Sequence, residues 1–438
     1  MKYIEIVNFV FSIIFGIFGL LTLHFAVLGI LGLFKKKKYP KTEVRNRYGV
    51  VIPARNEEIV VGELLNSILK SDYPQDKLEI FVIAHNCTDK TAEIARSYGK
   101  NVHVYELNNS SLNTKGLGLQ YLFKQIDKEY GIMNFDGFVF FDADNIATKD
   151  FLTRMNEAFE YYNKQSIITS YRNCKNFDTS LISGLYGLNF AISSIYACRG
   201  RTDVGCSSRV NGTGFIVPAI ILKDGWNYLT ITEDLEFTAD QVMANNKIKY
   251  CDDAVFYDEQ PTNIHIMWRQ RVRWSRGKLI VFYHRLGDLI KHLFVKDNKD
   301  RFSSYDIMTN VLPTCLNVFI LTLLQILFLS IAPLIDSSIT FHDIFLTDNL
   351  NFFTSQGYLM SSLRGLAMYY LVTLFQAVSC FIAAGEKAKN ISIFKKIILC
   401  ILWPFFIFIQ LPIDIQALFS KNLGWKTIPH GDKGQINA

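Results

Sequence analysis

The chain has 438 residues, half of them apolar, with 35 Phe and a formal net charge of +6. That composition excludes a disordered or collagen-like chain and points to a membrane protein. The basic residues cluster beside apolar runs, at 35–38, 387–396 and 421–426. This suits anionic headgroups, and no helix-turn-helix or zinc-finger pattern argues for nucleic acid. The eight cysteines are scattered without a CxxC pair, so they read as reduced thiols rather than a zinc site.

Residues 3–34 are almost uncharged and too long for a signal-peptide core. At ~1.5 Å per residue they can cross a ~30 Å hydrocarbon layer. Four lysines follow at 35–38, so by the positive-inside rule the next domain is expected to be cytoplasmic. From residue 48 the pattern turns to soluble α/β. Strands are expected at 48–52, 78–83, 102–106 and 137–141, and helices at 60–69, 91–98 and up to residue 125. Alternation of this kind predicts a mainly parallel sheet, with ligands outside the carboxyl ends of its strands.

The polar clusters fall at those ends. The sharpest is Asp142-Ala143-Asp144, directly after an apolar strand. Two hard carboxylates there suit Mg2+ or Mn2+ bridging a diphosphate, although Asp also favours turns and caps. Residues 165–260 are expected to complete the same domain. Within them, Asn211-Gly212-Thr213-Gly214-Phe215 is a glycine-bearing segment able to approach a sugar. Thr232-Glu233-Asp234 opens a helical pattern through Met243, with Thr232 as N-cap.

Residues 262–292 are amphipathic and rich in Arg, Trp and Tyr, as a helix lying in a membrane interface would be. They hold Gln270-Arg271-Val272-Arg273-Trp274. Apolar runs follow at 307–335, 358–384 and 397–419. The last contains Pro404 and Pro412 and reads as a bent hairpin or a partly interfacial segment. The organisation expected is a membrane helix with basic flank (1–38), a catalytic domain (45–260), interface helices (261–300), a second membrane region (301–420) and a polar tail (421–438).

At this point the chain resembles the membrane-embedded processive family 2 glycosyltransferases, which make cellulose, mixed-linkage glucan, hyaluronan and poly-N-acetylglucosamine. The resemblance covers roughly residues 48–290. It rests on Gln270 to Trp274 as a Q(Q/R)xRW motif, on Asp142-Ala143-Asp144 as the metal motif and on Thr232-Glu233-Asp234 as the TED motif. It implies a GT-A-type α/β domain inserted between transmembrane helices, with amphipathic interface helices, in the plasma membrane. It also implies a UDP-sugar donor, a growing glycan acceptor and Mg2+ or Mn2+, with accessory export proteins as partners.

Carried over by residue, Asp144 would bind the metal and Asp142 would contact the nucleotide and metal. Asp234 would be the base, held by Glu233 and Thr232. Gln270, Arg271 and Arg273 would hold the diphosphate, and Trp274 would stack under the acceptor sugar. Pro53, Ala54 and Glu57 would border the nucleotide, and Lys115 would reach it. Gly212, Thr213, Gly214 and Phe215 would line the acceptor entrance. The chain departs from the pattern at His85, where many relatives carry an aspartate beside the uracil. It also lacks a Phe-x-Val-Thr-x-Lys gating loop, and residues 425–430 are a candidate to replace it. The expected reaction is polymerisation of UDP-glucose into a β-glucan. UDP-N-acetylglucosamine polymerisation and non-processive lipid glycosylation are the alternatives.

Overall fold

Successive Val, Ile and Phe without polar alternation are what a strand covered on both faces requires, and the first strand is of this kind. In the computed structural model, which describes residues 2–34, 36–109, 113–346 and 357–420, β1 (Tyr48–Ala54) is buried along its whole length. It pairs in parallel with β2 (Leu78–His85) on one side and β4 (Gly137–Phe140) on the other, and β3 (Val102–Leu107) extends the parallel part beyond β2. The remaining strands are β5 (Ile146–Ala147), β6 (Ile167–Cys174), β7 (Phe215–Pro218) and β8 (Ile248–Asp258). The sheet order is β3-β2-β1-β4-β7-β6-β8-β5.

The expected parallel pairing holds from β1 to β4 and again between β6 and β8, and the sheet as a whole is mixed. β7 runs antiparallel to both β4 and β6, and β5 is antiparallel to β8. β7 is reached through a long helical excursion, not a short helix crossover, so nothing forces it to enter from the same end. The polar residues 425–430, Lys35 and the rest of the tail lie outside the described residues.

Helices cover both faces of the sheet. On one face α2 (Val61–Leu69) and α5 (Phe151–Tyr161) pack on Val50 and Ile52, with α3 (Thr91–Arg96) beside them. On the other, α4 (Lys115–Tyr130) packs on Val51 with Trp226 and Phe237. Alternate residues of β1 thus feed two cores, as a period of two demands.

The membrane part begins with α1 (Lys2–Phe34). Next in the chain, α6 (Leu181–Ile192) continues through a π-helical stretch, Ser193–Arg199, into α7 (Gly200–Asp203). After α8 (Glu233–Met243) comes α9 (Ile264–Phe294), one unbroken helix where several interface helices were expected. Then follow α10 (Arg301–Val311), α11 (Thr314–Ser330), α12 (Ala332–Ile335), α13 (Phe341–Phe345), α14 (Tyr358–Ala384), α15 (Ile393–Phe408) and α16 (Gln410–Phe419).

Among the described residues, five stretches are long and apolar enough to cross a membrane: Tyr3–Phe34, Leu181–Asp203, Thr314–Ile335, Tyr358–Ala388 and Ile393–Phe419. Phe9, Leu20, Leu327, Ile382 and Phe405 stand exposed on them. Apolar surface of that extent belongs in lipid, and the chain is a membrane protein. The second stretch falls within residues expected to be ordinary α/β domain. The expected run 307–335 is split at Pro313, and the last run is broken between Phe408 and Gln410, as its prolines suggested.

The two parts share one core. Tyr171 and Tyr250 of the sheet pack with Tyr186, Ile195, Cys380 and Trp403 of the membrane helices. Buried ion pairs reinforce it. Asp252 of β8 meets Arg199 at 2.7 Å, Lys387 at 2.8 Å and Lys36 at 3.2 Å. Gly32 and Gly200 let α1 lie directly on the π-helical segment: a Cβ at Gly32 would stand 2.2 Å from the Ile195 carbonyl.

Candidate active site

The buried run Phe138–Phe140 ends β4 at the sheet edge, so the next residues emerge there as a polar turn. The Asp142 amide donates to Thr213 Oγ1 at 2.8 Å. Lys115, the first residue of α4, donates Nζ to Asp142 Oδ1 at 2.5 Å and to the Gly212 carbonyl at 2.9 Å. It also lies 3.5 Å from Glu233 Oε1. Burial alone would lower the Lys115 pKa, but Asp142 and Glu233 raise it on balance. Lys115 is therefore a fixed cation joining two groups of acids.

Asn145 holds the other side of the turn. Its Nδ2 donates to Asp144 Oδ1 at 3.0 Å and to Asp258 Oδ1 at 2.9 Å, and its Oδ1 accepts from the Thr213 hydroxyl. Asp258, at the end of β8, accepts from Arg172 Nε at 2.7 Å and from Gln260 Nε2 at 2.5 Å. Burial raises its pKa against the pull of Arg172.

α8 begins at Glu233 and carries Glu233 and Asp234 in its first turn, where the helix dipole favours carboxylates. Thr232 stands at the N-cap, yet its hydroxyl makes no capping bond and is buried without a partner. Gly277 of α9 presses on it, and a Cβ there would lie 2.3 Å from Thr232 Cγ2. Burial raises the Glu233 pKa to about 7 against the pull of Lys115, with Asp234 adding to the rise. Burial raises Asp234 as well, again against Lys115. A carboxylate destabilised as an anion is a stronger base.

On α9, Gln270, Arg273, Trp274 and Lys278 all line one cavity. Trp274 meets Tyr186 and Phe190 edge-on, with centroids 6.1 and 6.4 Å apart. These residues, the sheet edge and the start of α8 enclose the cavity, of about 1120 Å³. It continues past the acids between α1, α10, α14 and α15.

Residues 46–277, more than half of the chain, match the family model described as "Glycosyltransferase like family 2". The chain belongs to glycosyltransferase family 2. It is similar to the probable glycosyltransferase YdaM of Bacillus subtilis (24% identical, covering 56% of this chain and 58% of that one). It is also similar to the poly-beta-1,6-N-acetyl-D-glucosamine synthase of Staphylococcus epidermidis (28%, 56% and 58%). The beta-monoglucosyldiacylglycerol synthase of a Nostoc species matches at 26% (60% and 55%). The matched part thus spans little more than half the length of these curated relatives. Among solved structures, a mannosyltransferase from Pyrobaculum calidifontis in complex with GDP-Man and Mn2+ superposes with a TM-score of 0.54 at 16% identity, covering 89% of this chain and all of that one. The fold is GT-A-like, flanked by apolar helices, and the enzyme is a sugar transferase.

Most of the expected site residues of this glycosyltransferase meet in the cavity. Pro53, Glu57 and Lys115 line one wall, Asp142 and Asp144 the sheet edge, and Gly212, Thr232, Glu233 and Asp234 the wall opposite. Gln270, Arg273 and Trp274 line it from α9.

Six expected residues do not line it. Arg271 faces away: its Nη2 and Nε donate to Gln410 Oε1 at 2.7 and 3.1 Å, and its Nη1 to the Phe406 carbonyl at 3.0 Å. It ties α9 to α15 and α16 instead of holding a diphosphate. His85 is fully buried, and α4 passes so close that a Cβ at Gly118 would lie 2.9 Å from its Nδ1. Ala54 is buried in β1. Thr213 orients Asp142 and Asn145. Gly214, with φ +67 and Phe256 against its α-carbon, forms the bend before β7, and Phe215 opens that strand and stacks on Phe140 at 4.7 Å.

Sequence reasoning missed Asn145, Arg172, Arg209 and Lys278, which hold or line the cavity. Asp258, at a strand end like Asp142, joins them.

Proposed function

We propose that this enzyme is a processive, inverting glycosyltransferase that polymerises a UDP-sugar into a β-linked polysaccharide and passes it through its own membrane helices. The observation that carries the reading is the single cavity. It joins the Asp142–Asp144 edge, Asp234 and Trp274, then runs on between α1, α10 and α14, where Thr22, Thr309, Asn310, Thr373 and Gln376 offer hydrogen bonds. A sugar chain needs both aromatic faces and such polar groups.

In this reading the donor diphosphate lies at the Asp142–Asp144 edge. Among the described residues no group of three or more His, Cys, Asp or Glu is placed to hold a metal. A two-carboxylate edge suits Mg2+ or Mn2+, which complete their shells with water and substrate phosphate. Such an ion, when bound, supplies positive charge to the leaving diphosphate. Lys115 keeps Asp142 in place, and Asn145 keeps Asp144 in place. Asp234 takes the proton of the acceptor hydroxyl as its oxygen bonds to the anomeric carbon and the bond to UDP breaks. Gln270 and Arg273 stabilise the departing charge, and Trp274 is the shelf for the acceptor sugar.

The motifs are shared by users of UDP-glucose, the donor favoured from the sequence, and of UDP-N-acetylglucosamine; similarity to poly-beta-1,6-N-acetyl-D-glucosamine synthases speaks for UDP-N-acetylglucosamine. The basic flank of α1 supports a cytoplasmic catalytic domain, a multi-pass topology and the domain limits given above, with export proteins as partners outside. The test is incubation of purified protein with each radiolabelled UDP-sugar and Mg2+ or Mn2+, followed by sizing and linkage-specific glycanase digestion. High-mass polymer is expected. Similarity to the glucosyldiacylglycerol enzyme favours a second reading, transfer of one sugar to a lipid, and short glycolipid products alone would establish it.

A further inference from the structure

Two cations of the cavity have no part in the reaction above. Lys115, Arg172 and Arg201 are paired with Asp142, Asp258 and Asp306, and Arg273 is assigned to the donor. Arg209 and Lys278 also line the cavity, but neither forms an ion pair among the described residues. Arg209 donates Nη2 to Ser193 Oγ at 3.2 Å, and its Nε is buried without an acceptor. Asp414 of α16 is the carboxylate that acts most on Lys278, and it already accepts from Ser275 at 2.7 Å and Gln410 at 2.6 Å. Their segments meet at α8: Gly277, next to Lys278, presses on Thr232, and Val210, next to Arg209, donates its amide to Thr238 Oγ1 at 3.3 Å. Burial depresses both basic groups. Buried like charges without a counter-ion are costly unless an anion joins them.

Their place indicates which anion. Arg209 leads into Gly212, where a Cβ would stand 3.6 Å from Asp234 Oδ2. Lys278 lies one helical turn beyond Trp274, on the side of Cys315 in α11. The segments that carry the pair thus close around the first turn of α8, which bears Asp234. Phe25, Ile30, Val372 and Phe375 of the apolar helices line the same cavity. A ligand with a hydroxyl, a negative charge and hydrocarbon matches these walls.

We propose that Arg209 and Lys278 form an anion subsite for the phosphodiester of a membrane phospholipid whose headgroup hydroxyl is the first acceptor, priming the polymer. This rests on Asp234 serving the acceptor. The headgroup oxygen bonds to the anomeric carbon, the bond to UDP breaks, the proton passes to Asp234, and the phosphodiester stays intact.

The test uses the full chain in neutral-lipid nanodiscs with a fluorescent short-chain phosphatidylglycerol. Binding about tenfold tighter than diacylglycerol of the same chains is expected, as two charge-assisted contacts warrant. Arg209→Gln and Lys278→Met should each lose that preference, Lys278→Arg should keep it, and UDP should not compete. With labelled donor, label should enter the phosphatidylglycerol headgroup. Equal binding of diacylglycerol, unchanged binding in both variants, or displacement by UDP would each overturn the proposal. So would displacement by inorganic phosphate without any preference for the lipid, or an acidic oligosaccharide outcompeting the lipid. The binding arm needs no catalysis. An Asp234→Asn variant that still transfers sugar would remove the base assignment while leaving the binding result standing.

Discussion

Arg271 separates what the motif implies from what the helix does. As part of a Q(Q/R)xRW motif it should hold the donor; in the structure it clamps α9 to the broken last helix. Arg271→Ala removes three hydrogen bonds from a charged donor, to Gln410 Oε1 twice and the Phe406 carbonyl once. It also removes a guanidinium 4.4 Å from the Phe406 ring. Bonds of this kind are worth about 1.5–3 kcal/mol each before desolvation, and the ring contact about 1 kcal/mol. Burial works against the charge at this site, so most of that sum is offset, leaving a net loss of about 3 kcal/mol. The expected result is a lower thermal midpoint of the detergent-solubilised protein, with the donor KM changed less than about threefold. Arg273→Ala should do the reverse. It has no ion-pair partner to abandon among the described residues, so stability holds, while kcat/KM falls about 10²–10³-fold. An Arg271→Ala protein with an unchanged midpoint and a donor KM raised tenfold would refute this placement.

The remaining expectations concern the acids and their supports. Asp234→Asn should lower the rate of sugar incorporation by about 10²–10⁴-fold, measured with radiolabelled donor. Burial raises both Asp234 and Glu233, the latter to about 7. The base must be ionised, so kcat/KM should climb with pH along a limb displaced above the usual carboxylate range. Glu233→Gln, which removes a like charge, should move that limb to lower pH. The fold favours the protonated form of these two acids, so their contribution to stability is present at low pH and fades as pH rises, for Glu233 through about 7. Asn145→Ala frees Asp144 and Asp258 from a common anchor, and Mn2+ affinity read by electron paramagnetic resonance should fall about 10–100-fold. Gly277→Val should force α9 off Thr232 and reduce activity with the protein still folded by circular dichroism; full activity would show that this contact does not position the acids.

The strands and the acids at their ends were legible because both are local. Continuous apolar runs of four to eight residues announce buried strands, and a polar cluster directly after one must sit at the sheet edge. The stretch Leu181–Asp203 was not legible for the opposite reason. Its mean hydropathy is 1.4, against 2.4 for the first helix. Ser, Gly, Tyr and Asn189 dilute its apolar residues, and Arg199 and Arg201 follow with charge. Their partners, Asp252 and Asp306, lie more than fifty and one hundred residues away. A charge satisfied at that distance looks, in sequence, like a charge meant for water.

The errors within the site follow from the same distinction. A motif gives residues in a row, whereas a helix sorts them by angle. Here the period alone does not decide: Arg271 and Lys278 project within about 20° of each other on α9, and only the arrival of Gln410 and Phe406 from the last helices draws Arg271 out of the site. Lys278 was hidden because it lies outside the motif. Asn145 was hidden by its neighbours: next to two aspartates it reads as part of the turn. Only the arrival of Asp258 from β8 makes it the bridge between two strand ends. What the motif supplied was the chemistry; what the fold adds is which of those side chains face the same space.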